Sequence, residues 1–155
     1  MIINCFPTNI EEFSHSDIIF NQFINAATNG DERNVLSLLL TSKININGKY
    51  QDGTAALLNA VFSNKESMVS LLLDKGADIN FKSGYGSTAL IYAARYSTDS
   101  MISLLLDKGA ETNIKDHDGY TALMVAARFS KDSMVPFFLI EERILIFRIF
   151  MGTLL

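Results

Sequence analysis

The chain has 155 residues, and its 13 basic and 17 acidic side chains give a net charge of −4 at neutral pH. This balance argues against non-specific binding of nucleic acid, which needs a basic surface that displaces counterions. Cys5 is the one cysteine of the sequence, which excludes an intrachain disulfide and argues against a structural zinc site. The N-terminus lacks the basic region of a secretory signal, so we expect a cytosolic protein or one delivered to a host cytosol.

A period of 33 residues dominates the sequence. Five columns of identical residues keep this spacing: Gly53, Gly86 and Gly119; Leu57, Leu90 and Leu123; Ala60, Ala93 and Ala126; Ser67, Ser100 and Ser133; Met68, Met101 and Met134. Such a period is typical of stacked copies of one small unit rather than of a closed globule. The methionine column has the phase of the core, and we expect it to serve packing.

The period divides the chain into an N-terminal segment, four units and a tail. The predicted segments are a lead-in or cap at 1–19, a degenerate first unit at 20–49, full units at 50–82 and 83–115, an incomplete fourth unit at 116–139 and an atypical apolar tail at 140–155. The lead-in is expected to be irregular or to hold a short helix near Ser16. Phe20 replaces the glycine of the other units, as expected for an end unit.

The third unit illustrates the predicted structure. Apolar residues at helical spacing predict a first helix over 89–96 and a second over 101–107. Asp99 or Ser100 is the expected N-cap of the second helix, and Gly109 supplies the left-handed residue that ends it. Two short helices cannot bury their apolar faces alone, so neighbouring units must share a core. We therefore predict an all-α solenoid of stacked helix-turn-helix units with protruding loops.

Residues 20–139 resemble ankyrin repeats. The match is carried by Gly119-Tyr120-Thr121-Ala122-Leu123-Met124-Val125-Ala126-Ala127 and by Gly76-Ala77-Asp78-Ile79-Asn80. The resemblance implies a slightly curved solenoid that binds other proteins and has no catalytic activity. Three positions depart from the family pattern: the proline is Ala56, Ala89 and Ala122, the histidine is Leu58, Ile91 and Met124, and one threonine is Ala55. Because the family's histidine links adjacent loops, the resemblance also implies weaker loop order here.

The sequence departs from the repeat after Val135, where Pro136 falls inside the expected second helix. A reading frame shifted by one base can spell the repeat motif onward from Val135, and Met151-Gly152 forces a glycine where the next loop glycine belongs. We interpret the last 20 residues as the product of a single-base loss that truncated a longer array. The alternative is an evolved apolar capping helix. Four charged residues interrupt this tail before it reaches membrane-spanning length: Glu141, Glu142, Arg143 and Arg148.

In ankyrin-like arrays the loop tips and the exposed side of the first helix form a concave surface. By register, this surface comprises Gln51, Asp52, Thr54, Phe62, Ser63, Tyr85, Ser87, Arg95, Tyr96, His117, Asp118, Tyr120, Arg128 and Phe129. Two arginine–aromatic pairs, at 95–96 and at 128–129, should lie side by side, and they favour an acidic and apolar partner surface. The alternative is that the aromatic rings pack on neighbouring helices while the arginines pair with Asp99 or Asp132.

The partner-binding residues predicted from this surface are Phe62, Tyr85, Arg95, Tyr96, His117, Tyr120, Arg128 and Phe129. No catalytic, cofactor-binding or metal-binding residue is predicted. His117 lies between two aspartates, but a metal site needs further ligands, and a solvated loop explains it better. Cys5 has no basic neighbour that would activate it, and Gly84-Tyr85-Gly86 lacks the context of a nucleotide-binding loop.

The function predicted from the sequence is a non-catalytic protein-interaction module, expected to be monomeric, with a protein partner, no nucleic acid and no membrane span. Two alternatives stay open. The chain is a regulatory or targeting fragment of a larger enzyme, made alone by truncation, or it is a decayed gene product without present function.

Overall fold

The computed structural model describes residues 14–50 and 52–129, which form seven α-helices and no strand. The helices are α1 (His15–Asn29), α2 (Glu32–Thr41), α3 (Ala56–Phe62), α4 (Glu66–Asp74), α5 (Ala89–Tyr96), α6 (Asp99–Asp107) and α7 (Ala122–Arg128). Helices α1, α3, α5 and α7 pack on one another in a row, while α2, α4 and α6 each pack on the helix before them. The predicted all-α repeat fold is confirmed. The predictions for Gln51, Asp132, Met134 and the tail lie outside the described residues.

The core lies between successive helix pairs. The columns with a 33-residue spacing supply much of it, since Leu57, Leu90, Met68 and Met101 are all fully buried. Ala60, Ala93 and Ala126 are also fully buried, at the centres of α3, α5 and α7. Because alanine has only a methyl group, these helices approach closely in the row. The core role predicted for Met68 and Met101 is confirmed.

The start of one helix differs from the prediction. Helix α6 begins at Asp99, and its N-cap is Thr98, whose Oγ1 accepts a hydrogen bond from the N–H of Met101 over 3.4 Å. The N-cap expected at Asp99 or Ser100 was therefore wrong by one or two positions. Asp99 instead lies in the first turn, where a carboxylate suits the positive end of the helix dipole.

Helix α1 begins at His15, so a helix is present near Ser16, which is one of the two structures expected for the lead-in. The helix continues without a break to Asn29.

The loops between units share one turn, closed by a backbone hydrogen bond at positions 50–54, 83–87 and 116–120. Gly53, Gly86 and Gly119 lie in these turns with φ between 77° and 84°, a region that favours glycine. Successive turns also lie in contact. The N–H of His117 donates to the carbonyl of Tyr85 over 3.1 Å, and a Cβ on Gly53 would lie only 2.7 Å from Gly84 Cα.

Asparagine side chains join the ends of neighbouring units. Asn47 Oδ1 accepts from the N–H of Asp78 at 2.8 Å. One unit later, Asn80 Oδ1 accepts from the N–H of Glu111 at 3.0 Å, and Asn80 Nδ2 donates to Glu111 Oε1 at 2.9 Å. The family's histidine is absent here, and the described loops are linked instead by these asparagines and by the backbone bond between Tyr85 and His117.

We predict that Asn80→Ala lowers the free energy of unfolding by about 1 kcal/mol, because it removes two hydrogen bonds between units. Asn113 is a matched control: it has the same register, 33 residues on, and makes no side-chain hydrogen bond with any residue in 14–50 or 52–129. Urea unfolding followed by circular dichroism gives both values. Equal losses for Asn80→Ala and Asn113→Ala would contradict this role of the inter-unit bonds.

Gly53 and Gly109 provide a test of loop contact. Both have a positive φ, of 77° and 88°, but a Cβ on Gly109 would meet no atom within 4 Å. Gly109→Ala should therefore cost only the left-handed strain, about 1 kcal/mol. Gly53→Ala should cost at least twice as much, since it also drives the loop away from Gly84. The comparison is made by thermal and urea unfolding, and a smaller loss at Gly53 would show that the loops are not packed together.

Candidate partner-binding site

The first helices of three units end in a line of aromatic and arginine side chains. Helix α3 ends at Phe62, α5 ends at Arg95 and Tyr96, and α7 ends at Arg128, directly before Phe129. Because α3, α5 and α7 pack side by side, their C-terminal ends lie next to one another. We call these five residues the aromatic–arginine row.

Ring contacts connect the row across the units. Phe62 and Tyr96 meet edge to face, with ring centroids 5.3 Å apart and an angle of 71° between the planes. The guanidinium of Arg95 lies 5.8 Å from the centroid of Tyr96 and 5.4 Å from that of Phe129, within the range of cation–π attraction. Residues of three successive units thus form one continuous surface.

The rings of the row stay exposed despite these contacts. The exposed fraction is 57% for Phe62, 54% for Tyr96 and 47% for Phe129. Among the described residues, the one ion pair joins Lys108 to Asp74 at 2.9 Å. Neither arginine of the row therefore has a carboxylate partner within 14–50 or 52–129. The rings therefore pack on neighbours, as the alternative interpretation expected, and also remain accessible, as the binding interpretation expected.

Arg128 does not repeat the arrangement of Arg95. Its guanidinium lies 5.8 Å from the ring of Tyr120, and Nη1 donates a hydrogen bond to the Tyr120 hydroxyl over 3.2 Å. Phe129, which follows Arg128 in the sequence, lies instead against the guanidinium of Arg95 in the preceding unit. Tyr120 is half-buried. Its backbone is fixed by a hydrogen bond from its N–H to Asp116 Oδ1 at 2.8 Å.

The other predicted residues lie on the loops. Tyr85 is 71% exposed and His117 is exposed, and the two are joined through the backbone. The imidazole of His117 lies against Gly86, where a Cβ would come within 2.6 Å of its Cδ2. Thr54 was expected on the exposed surface, but it is buried, and its hydroxyl donates a hydrogen bond to Asp52 Oδ1 at 2.6 Å within the loop.

A cleft of about 270 Å³ opens beside the row, between the loops of the third and fourth units. Tyr85, Arg95, Tyr96 and Asp118 line it, as the surface prediction allows, together with Tyr92 and Asp116. Tyr92 was not among the residues predicted from the sequence. Its spacing could have indicated that it lines the cleft, because Tyr92 precedes Tyr96 by four residues and so lies on the same helix face. The two ring centroids are 6.1 Å apart.

Two other kinds of site are absent from the part of the chain that the structure describes. Within 14–50 and 52–129, no group of three or more His, Cys, Asp or Glu side chains is placed to hold a metal ion. No helix of this part of the chain has both the length and the apolar character needed to cross a bilayer.

Comparison with protein families agrees with this architecture. A family model described as ankyrin repeats, three copies, matches residues 23–116 and 81–146, which together are well over half of the chain. The chain belongs to the ankyrin repeat family. Ankyrin repeats are generally protein–protein interaction modules and are generally non-catalytic. No curated protein matches the chain. The assignment to the family therefore rests on the family model, and the helix pairs and loop turns of the described residues agree with it.

We predict that the Phe62–Tyr96 contact adds about 0.5–1 kcal/mol beyond the burial of each ring. A double-mutant cycle with Phe62→Ala, Tyr96→Ala and the double variant measures this coupling by urea unfolding. Both rings are about half exposed, so each single variant should fold. Additive losses would mean that the two rings are neighbours without attraction.

Proposed function

We propose that this ankyrin repeat chain is a non-catalytic, monomeric protein-interaction module whose partner lies across the aromatic–arginine row. The observation that carries the proposal is the continuous contact from Phe62 through Tyr96 and Arg95 to Phe129. Aromatic and arginine side chains are enriched in interfaces, and arginine and tyrosine are frequent among hot spots. Three half-exposed rings in one line give a partner a large apolar area to cover.

The contacts within the row also favour tight binding. Arg95 is held between two rings, and Arg128 is held by the ring and hydroxyl of Tyr120. Side chains that are already ordered lose less entropy when a partner binds. A guanidinium over a ring still presents its N–H edge to an incoming group, and neither arginine has a carboxylate partner among the described residues.

These features indicate the chemistry of the partner. Its surface should carry carboxylates opposite Arg95 and Arg128, and apolar side chains opposite Phe62, Tyr96 and Phe129. Arginine forms paired hydrogen bonds with carboxylates, which are stronger than neutral hydrogen bonds. The partner is therefore proposed as a protein segment that is both acidic and apolar.

We expect Arg95→Ala combined with Arg128→Ala to weaken partner binding at least tenfold, on the scale of hot-spot residues. Affinity capture with the full chain and quantitative mass spectrometry identifies the partner, and titration calorimetry then measures its Kd. Arg33→Ala is the control, because Arg33 is an exposed arginine of helix α2, outside the row. Circular dichroism should show cooperative melting for all variants, with the double arginine variant lower by only a few degrees, since it loses the exposed contacts of Arg95 and Arg128 with the rings.

Three results would count against this function. Unchanged binding in the double arginine variant would remove the row from the interface. A chain that captures nothing and unfolds without cooperativity would favour the decayed gene product. A catalytic domain encoded in the restored downstream reading frame would favour the regulatory fragment of a larger enzyme.

A further inference from the structure

The cleft between the loops of the third and fourth units differs in chemistry from the row beside it. Three tyrosines line it, Tyr85, Tyr92 and Tyr96, and two carboxylates, Asp116 and Asp118, lie on the fourth-unit loop. Arg95 also lines it, and its guanidinium lies between the ring of Tyr96 and the ring of Phe129. The lining therefore carries two negative charges and one positive charge.

The size of the cleft limits what can enter it. Its volume of about 270 Å³ lies near the lower limit of about 300 Å³ that is usual for pockets of drug-sized ligands. A single large side chain fits this space better than a cofactor does. Because Tyr85 is 71% exposed at the loop tip, the cleft is open to a group presented by another protein.

The two carboxylates differ in how they are engaged. Asp116 Oδ1 accepts the N–H groups of Asp118 and Tyr120, at 3.0 and 2.8 Å, and so shapes the turn. The Asp118 carboxylate accepts no hydrogen bond and forms no ion pair with any residue in 14–50 or 52–129. It is therefore free to receive a positively charged donor at the mouth of the cleft.

We propose that this cleft binds one basic side chain, lysine or arginine, of the partner protein. The aliphatic stem of such a side chain packs on the tyrosine rings, its cation is attracted to the faces of Tyr85 and Tyr92, and its N–H groups donate to Asp118. This inference rests on the proposed function, since the basic residue belongs to the segment that covers the row. The partner segment then carries a basic residue for the cleft and acidic residues for the arginines beside it.

The test uses the blocked amino acids N-acetyl-arginine amide and N-acetyl-lysine amide, titrated into the full chain and followed by ¹⁵N NMR. We expect saturable shifts at the backbone amides of Tyr85, His117 and Asp118, with a Kd on the order of 10 mM, as for an exposed ion pair with a cation–π contact. N-acetyl-norleucine amide, of similar length without charge, should give no saturable shift. N-acetyl-glutamate amide should also give none.

Two variants assign the binding to the cleft. Asp118→Asn should weaken the arginine derivative about threefold, as for the loss of an exposed ion pair, and Tyr85→Ala should reduce the shifts at His117. Asp107→Asn is the matched control, because it changes the net charge equally but lies at the end of α6. Melting curves verify that the variants fold, since neither Asp118 nor Tyr85 is buried.

Several outcomes would overturn the proposal: no saturable shift with either basic derivative, equal binding of norleucine or glutamate, or equal effects of Asp118→Asn and Asp107→Asn. None of these results bears on the capture experiment with Arg95 and Arg128. A partner that is lost in the double arginine variant but binds normally to Asp118→Asn would keep the proposed function and reject this inference alone.

Discussion

The structure depends on apolar burial that no single unit can achieve. Helices of seven to nine residues, such as α3 to α7, are too short to be stable alone in water. Each first helix therefore buries its face on the next, and the fully buried alanines at 60, 93 and 126 keep the helices of the row close enough to do so. The same packing determines where function can lie. A row of parallel, closely spaced helices brings their ends together, and the side chains at those ends form one surface.

Several contacts between units follow a diagonal rather than the strict register. Near the ends of the helices, side chains meet partners 34 positions further along the chain, as in Asn64–Thr98, Glu66–Ser100 and Asp74–Lys108. The asparagine bonds of the loops instead span 31 positions. The row obeys the same offset, since 96 − 62 and 129 − 95 both equal 34. Arg128 does not follow this offset, since its guanidinium lies against Tyr120 of its own unit.

Part of the fold and of the site could be predicted from the sequence, and part could not. The helices, their buried columns and the loop glycines follow from periodicity, because burial and a positive φ constrain residue type strongly. The N-cap was misplaced because Thr98, Asp99 and Ser100 are all good caps, and the residue type alone does not choose among them. The cross-unit pair between Arg95 and Phe129 was missed because register places Arg95 opposite Arg128. The burial of Thr54 was missed because its hydrogen bond to Asp52 lies within the loop and leaves no periodic trace.

The repeat also explains how two charge preferences can stand side by side. Loop and helix-end positions contribute little to the shared core, so their residue types vary between units. The position of Asp118 is occupied by Tyr85 and Asp52 in the preceding units. The position of Arg95 is occupied by Phe62 in the second unit and by Arg128 in the fourth. At the junction of the third and fourth units, the cleft is lined by tyrosines at 85, 92 and 96 together with aspartates at 116 and 118. The backbone bond from His117 to Tyr85 holds these two loops together, so the cleft is built by the stacking itself. A partner segment that spans this junction meets acidic groups at the loops and arginines at the helix ends, and this polarity would determine the direction in which the segment lies.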